Sequence, residues 1–274
     1  MTTTAEQTQI IDGSRQLAIE IKTQREIALS RPRDEKAIYQ AALAELEFAP
    51  EFAEDAFYAI PFKDKDAEDG KTMIEGLSVV ASRAIARRWG NCATAARIGA
   101  ESDDAFEVEG IFADFETNAF FRATVRVPKS YIPRGTKIPT PLRADRLNLA
   151  IQAGLSKAER NATMKGLPEY LKSRYFTAAK KIAGAKGKGV KTDAERLAEI
   201  CASFNKWGVT PDRVAEYIKT NLNGVATDEI IGTMRGVFNS LKEGQAKAED
   251  VFTEPKKEES RGPVSAENLT GAAK

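Results

Sequence analysis

The stretch Ala119–Val127 constrains the fold more than any other part of the chain. Ala119, Phe121, Ala123, Val125 and Val127 alternate with Phe120, Arg122, Thr124 and Arg126. A period of two puts the first set on one face of a strand and the second on the other. Pro128 ends the run, because proline cannot donate to a sheet ladder. Two earlier runs also have strand character: Ala93–Glu101, rich in alanine, and Phe106–Phe115. Loops rich in Ser, Asp, Thr and Asn separate the three, so an antiparallel meander is expected.

Helical patterns flank the meander. Within Gly76–Asn91, residues Leu77, Val80, Ala81, Ala84, Ile85 and Trp89 recur at helical spacing and are expected on a buried face. Arg83 and Arg87 share another face, with Arg88 beside them, and Gly90-Asn91 supplies a left-handed stop. Ile10–Leu29 reads as a helix interrupted at Asp12-Gly13-Ser14. A second runs from an Asp34 N-cap to Phe48, Glu51–Tyr58 is a short acidic turn or helix, and residues 63–70 form a polar loop. After the meander, Lys129–Pro141 is a basic loop with Tyr131, Arg134 and Lys137. Helices are expected at Leu142–Ala153, Leu155–Leu167 and Pro168–Ile182, the last burying Leu171, Tyr175, Ala178, Ala179 and Ile182. Gly184–Lys191 reads as a flexible basic linker. Beyond it come helices at Asp193–Trp207, Thr210–Leu222 and Thr227–Leu241.

The expected fold class is α+β: an antiparallel β-meander packed with helices that form a basic groove, plus a small C-terminal helical domain. The expected boundaries are a core at 1–185, a linker at 186–192, a helical domain at 193–252 and a disordered tail at 253–274. Residues 1–9 are expected to fray.

Net charge is +1, but its distribution is uneven. Residues 1–70 hold 8 Lys/Arg against 15 Asp/Glu, residues 71–191 hold 22 against 11, and residues 192–274 hold 11 against 14. From Thr117 to Lys191 there are 17 basic residues against Asp145, Glu159 and Glu169 alone. A basic block between acidic flanks is the electrostatic footprint of a nucleic-acid-binding core. No segment has the length or apolarity of a membrane span, and Met1–Glu6 does not open a signal peptide, so a cytoplasmic protein is expected.

The chain has no histidine, which excludes histidine triads, histidine acid–base catalysis and imidazole metal sites. Cys92 and Cys201 read as ordinary small apolar residues in a reducing compartment. Gly184 and Gly189 have P-loop spacing, but Val190 stands where lysine is required. Glu107, Glu109, Asp114 and Glu116 could hold magnesium in a nuclease; the alternative is a solvated strand face. The face carrying Phe120, Arg122, Thr124 and Arg126 combines an aromatic platform with two guanidiniums, the chemistry of a sequence-tolerant single-strand binder. The alternative is an apolar layer over Phe120 with the arginines paired to Glu107 and Glu109.

Three groups of residues resemble a known family. The first is Ala56-Phe57-Tyr58-Ala59-Ile60-Pro61, Ile74-Glu75-Gly76-Leu77-Ser78 and Ala86-Arg87-Arg88-Trp89-Gly90-Asn91. The second is Lys157-Ala158-Glu159-Arg160-Asn161-Ala162 with Leu167-Pro168. The third is Phe204–Thr210, Leu241-Lys242-Glu243-Gly244 and Asp250-Val251-Phe252. Together they resemble phage single-strand annealing proteins of the RecT/Red-beta/Erf grouping. The resemblance implies ATP-independent binding of single-stranded DNA and annealing of complementary strands during recombination. It also implies rings or helical filaments of the chain, no cofactor and no catalytic group. Its implied partners are a phage exonuclease and the host single-strand-binding protein, met through the C-terminal domain. Expected DNA contacts are Arg83, Arg87, Arg88, Arg122, Arg126, Lys129, Arg160, Lys165, Arg174, Lys180 and Lys181, with Phe120 and Tyr131 stacking on bases. The competing readings are a metal-dependent nuclease and a DNA-coating protein that does not anneal.

Overall fold

The computed structural model describes residues 19–63, 71–133 and 136–252. Residues 1–18, of which 1–9 were expected to fray, the loop 64–70, Arg134-Gly135 and the tail 253–274 lie outside the described residues.

The meander forms as its alternation requires. Strands β3 (Cys92–Glu101), β4 (Ala105–Asp114) and β5 (Ala119–Pro128) make an antiparallel sheet in the order β3-β4-β5. In β5, Phe120, Arg122, Thr124 and Arg126 are exposed and Ala123 and Val127 are buried, as expected from a half-covered strand. The covered face packs on helix α5 (Ala144–Gly166), where Val108, Val127 and Ala158 meet. Gly110, in the central strand, permits this crossing: a Cβ there would lie 1.9 Å from the Ala158 carbonyl oxygen.

Helix α5 corrects the expectation of two helices broken near Gly154. It is continuous because Gly154 faces Val127, where a Cβ would lie 2.4 Å from Cγ2. The small residue serves close helix–sheet packing rather than termination. The C-cap of α5 is Leu167, and α6 (Glu169–Gly184) follows with Leu171, Tyr175, Ala179 and Ala183 buried.

Before the meander come α1 (residues 19–30), α2 (Glu35–Phe48, capped by Asp34) and α3 (Pro50–Asp55). A hairpin, β1 (Phe57–Lys63) with β2 (Lys71–Leu77), was not legible as strands. Leu77 therefore ends a strand. Helix α4 is Val79–Trp89, opened by Ser78, whose hydroxyl accepts the Ala81 N–H at 3.2 Å. Val80, expected inside, is 41 % exposed, whereas Ala81, Ala84, Ile85 and Trp89 are buried. Gly90 and Asn91 stop the helix at positive φ, 65° and 44°.

One buried polar cluster locks α4 and the sheet to the α1–α2 connection. Arg33 reaches Asp114 at 2.6 and 2.9 Å and Glu116 at 2.9 Å, and its guanidinium sits 4.3 Å from the centroid of the Trp89 ring. Trp89 Nε1–H donates to Asp114 at 3.1 Å.

The C-terminal helices are α7 (Asp193–Ala202), a 3-10 turn (Ser203–Trp207), α8 (Pro211–Asn221), α9 (Thr227–Lys242) and α10 (Ala248–Val251). They share a hydrophobic cluster with β1 through Ala59. The α9 side chains Asn239 and Ser240 donate to the Phe57 and Ala59 carbonyls at 2.7 and 2.9 Å. The stretch expected as a bare linker is held by Arg196, which donates to the Gly184 and Lys186 carbonyls and pairs with Asp193 and Asp228. The region 193–252 is thus packed onto the core by α9. No helix among the described residues is long and apolar enough to cross a membrane.

Candidate nucleic-acid interface

Most of the expected DNA-contacting cations already have carboxylate partners. Arg83 grips Glu159 of α5 at 2.5 and 3.0 Å. Arg87 and Arg88 share Glu45 of α2 at 3.0 and 2.7 Å. Arg122 meets Glu109 at 3.2 Å, and Arg97 meets the same carboxylate at 2.8 Å. The Arg97 hydrogen bond, helped by Arg122, holds that carboxyl below the usual glutamate range. Arg126 pairs with Asp104, Lys129 with Glu101 at 2.6 Å and Lys180 with Glu75 at 2.7 Å. The arginine side chains in these pairs are exposed to solvent, which weakens the pairing, so a phosphate can compete for the cation.

These cations do not form one groove. The Arg122 and Arg126 pairs lie on the open face of the sheet, opposite α5. There Phe120, Arg122, Thr124 and Arg126 stand across from Ala113, Ile111, Glu109 and Glu107. Phe120 is 53 % exposed, and the Arg122 guanidinium lies 5.1 Å from its ring centroid. The platform is therefore present, and Arg122 is also paired across the sheet, so features of both readings coexist. Tyr131 is exposed in a small ladder, β6 (Ser130–Tyr131) with β7 (Thr140–Pro141). Lys165 donates to the Arg122 carbonyl at 3.0 Å. Arg174 and Lys181 are exposed on α6 and have no carboxylate partner among the described residues.

Arg160 is different. It is only 7 % exposed, yet no carboxylate bonds it among the described residues. Its guanidinium lies 4.8 Å from the centroid of the Tyr58 ring and, among the described residues, donates to the neighbouring Asn161 Oδ1 alone, at 3.2 and 3.4 Å. It lines a cleft of about 420 Å³ between the β1–β2 hairpin, α5 and α6. Leu77, Met164 and Phe176 give the cleft an apolar wall, Lys172, Ser173 and Thr177 give it polar groups, and its two carboxylates, Glu75 and Glu169, are paired with Lys180 and Lys172. Lys172 is steadied by the Met164 carbonyl at 2.6 Å and by Glu169 at 2.7 Å. Burial pushes the Glu243 carboxyl, at the end of α9, above the usual glutamate range, and the Arg160 charge pulls the other way. Helical spacing puts Arg146 and Lys157 on the Arg160 side of α5, and both are exposed without a carboxylate partner among the described residues.

No family model, curated protein or solved structure matches the chain.

The interface therefore rests on its own chemistry. Among the described residues, no group of three or more Asp, Glu or Cys side chains is placed to hold a metal ion. Asp114 and Glu116, weighed above as magnesium ligands, are occupied by Arg33. The sequence named Arg160 but missed its setting. Tyr58 lies 102 positions earlier, in a hairpin that was not legible, so an aromatic support for this cation had no local signal.

Proposed function

We propose that the protein binds single-stranded DNA and anneals complementary strands without ATP, as an assembly of copies of the chain. In this reading the strand runs along α5 past Arg146 and Lys157 into the Arg160 cleft. One observation carries it: a buried arginine, backed by an aromatic ring, that no carboxylate hydrogen-bonds among the described residues. A buried cation that no carboxylate grips directly keeps donors free, and an anionic ligand that takes them offsets the cost of burying the charge. Guanidinium suits phosphate because its planar fork donates two parallel hydrogen bonds. Gripping the backbone leaves base edges free to test a second strand, and matching pairs are then kept by stacking and base pairing. Phe120 with Arg122 offers a second contact on the open sheet face. The exonuclease and host single-strand-binding protein belong to the same proposal, with the helices after residue 193 as their docking region.

The test is fluorescence anisotropy with a labelled single strand over a salt series. Arg160→Ala should weaken binding by about tenfold or more, the size of a lost charged hydrogen bond. The log–log salt slope should drop by about 0.7 for one lost phosphate contact. Arg160→Lys, which keeps the charge and loses the fork, should fall between. Unchanged affinity and slope in folded Arg160→Ala would remove DNA from the cleft. Mixing two complementary oligonucleotides tests annealing: binding without faster duplex formation would reduce the protein to a coat.

A further inference from the structure

Gly76 lies inside β2, where a glycine weakens a strand and offers no side chain to pack. Its own backbone does not call for one, because its φ lies outside the left-handed region that favours glycine. The need arises across the hairpin. Gly76 stands directly opposite Tyr58, and directly opposed residues share a face. A Cβ at Gly76 would lie 2.7 Å from Tyr58 Oη, 2.9 Å from Cζ and 3.1 Å from Cε1. The Tyr58 ring therefore lies down across β2, in the space that a side chain at position 76 would fill.

The hairpin turns that ring toward α5. Phe57 and Ala59 abut Gly236 of α9, and successive strand side chains alternate, so Tyr58 points away from α9. The Arg160 guanidinium stacks on the ring, 4.8 Å from its centroid. Asn161 Oδ1 accepts from Arg160 Nε and Nη2 at 3.4 and 3.2 Å. Among the described residues Nη1 has no such acceptor. Gly76, Tyr58 and Arg160 all line the cleft.

We propose that Gly76 and Tyr58 are positioning residues for Arg160. The glycine lets the ring lie flat, and the ring carries the guanidinium by its face. The N–H groups at the guanidinium edge are left for a phosphate. A cation held in this way is already ordered when a strand arrives, and ordering a long side chain is part of what association costs. The inference rests on the DNA reading above and adds the two residues that prepare the cation. The clash expected at position 76 is with the far end of a side chain and not with main chain. Gly76→Ala should therefore fold, with the ring pushed off its seat and Arg160 released.

The full chain is tested by anisotropy with the same labelled single strand, once circular dichroism has shown each variant folded. Gly76→Ala and Tyr58→Leu should each weaken binding about two- to tenfold, the effect of having to order one long side chain on binding. Tyr58→Phe, which keeps the ring, should recover most of what Tyr58→Leu loses. In an Arg160→Ala background neither Gly76→Ala nor Tyr58→Leu should weaken binding further, because residues that act through one group do not add. A general structural effect would add in full. Parental affinity in both single variants, or full additivity with Arg160→Ala, overturns the inference. Should Gly76→Ala not fold, the Tyr58 variants decide by the same criteria. Parental affinity in Arg160→Ala would fell the DNA reading and this inference with it, whereas a loss in Arg160→Ala alone would fell only this inference.

Discussion

Replacing Gly110 by alanine should unfold the sheet from α5. The new methyl would lie 1.9 Å from the Ala158 oxygen, 2.1 Å from its carbonyl carbon and 2.6 Å from the Glu159 nitrogen. All three are main-chain atoms of a continuous helix, so no side chain can rotate to make room. Either α5 lifts off the sheet or β4 bends away. Each response opens the contacts among Val108, Val127 and Ala158, which are buried at the crossing. Overpacking of a tight core costs about 1–3 kcal/mol and more where nothing can yield. For a chain of this size about 3 kcal/mol corresponds to a fall of roughly 10 °C in melting temperature. Gly110→Val should leave no cooperative transition. A Gly110→Ala protein melting within two or three degrees of the parent would show that the crossing is looser than described.

Removing the Arg33 side chain should be at least as damaging, for an electrostatic reason. The Arg33 and Asp114 side chains are 5 and 6 % exposed, and Glu116 is 16 % exposed. Arg33→Ala leaves two carboxylates facing each other with their cation gone, and losing one partner of a buried pair costs about 3–5 kcal/mol. Arg33→Met, with Asp114→Asn and Glu116→Gln in the same chain, should recover part of that loss, because no buried charge is then left unpaired. The cluster also sets an acid limit. Burial alone would raise the Asp114 carboxyl. The bonds from Arg33, the Thr117 amide and Trp89 outweigh burial and hold it below the usual aspartate range. Burial pushes Glu116 up as well, and Asn91 and Arg33 more than offset it. Both groups are thus lower in the folded state. Their stabilisation is complete above the unfolded carboxylate values, about pH 4. It is lost as pH falls through the lowered folded values. Melting temperature should drop below about pH 4 in the parent, and that drop should be smaller in the triple variant. An identical acid profile in both would take the pH dependence away from this cluster.

What the sequence made legible was local. The alternation in Ala119–Val127 located a strand and its two faces, and Asp34 and Gly90-Asn91 located helix ends, because each signal acts within a few residues. The β1–β2 hairpin was hidden for local reasons too. Pro61 argues against a strand, and Leu77 falls in phase with the apolar stripe of α4. Pairings over distance left no trace. Glu45 neutralises Arg87 and Arg88 across 42 and 43 positions, and Glu159 neutralises Arg83 across 76. A count of positive charge in the segment therefore overstated how much of it is unspent. Arg160 stood out only once its surroundings, rather than its neighbours in the chain, were known.

The bonds from Asn239 and Ser240 to the carbonyls of Phe57 and Ala59 span 182 and 181 positions. A ribosome that has just released β1 must therefore add most of the remaining protein before the helix that roofs this strand exists. During that interval the Phe57 and Ala59 face is open to water, to chaperones and to other nascent chains. Closure of so long a loop is entropically slow, and contacts distant in sequence form late. The last described helices, peripheral by position in the chain, thus act as the step that completes synthesis into a folded product, and a nonsense mutation near residue 190 should yield a short-lived polypeptide rather than a stable smaller protein.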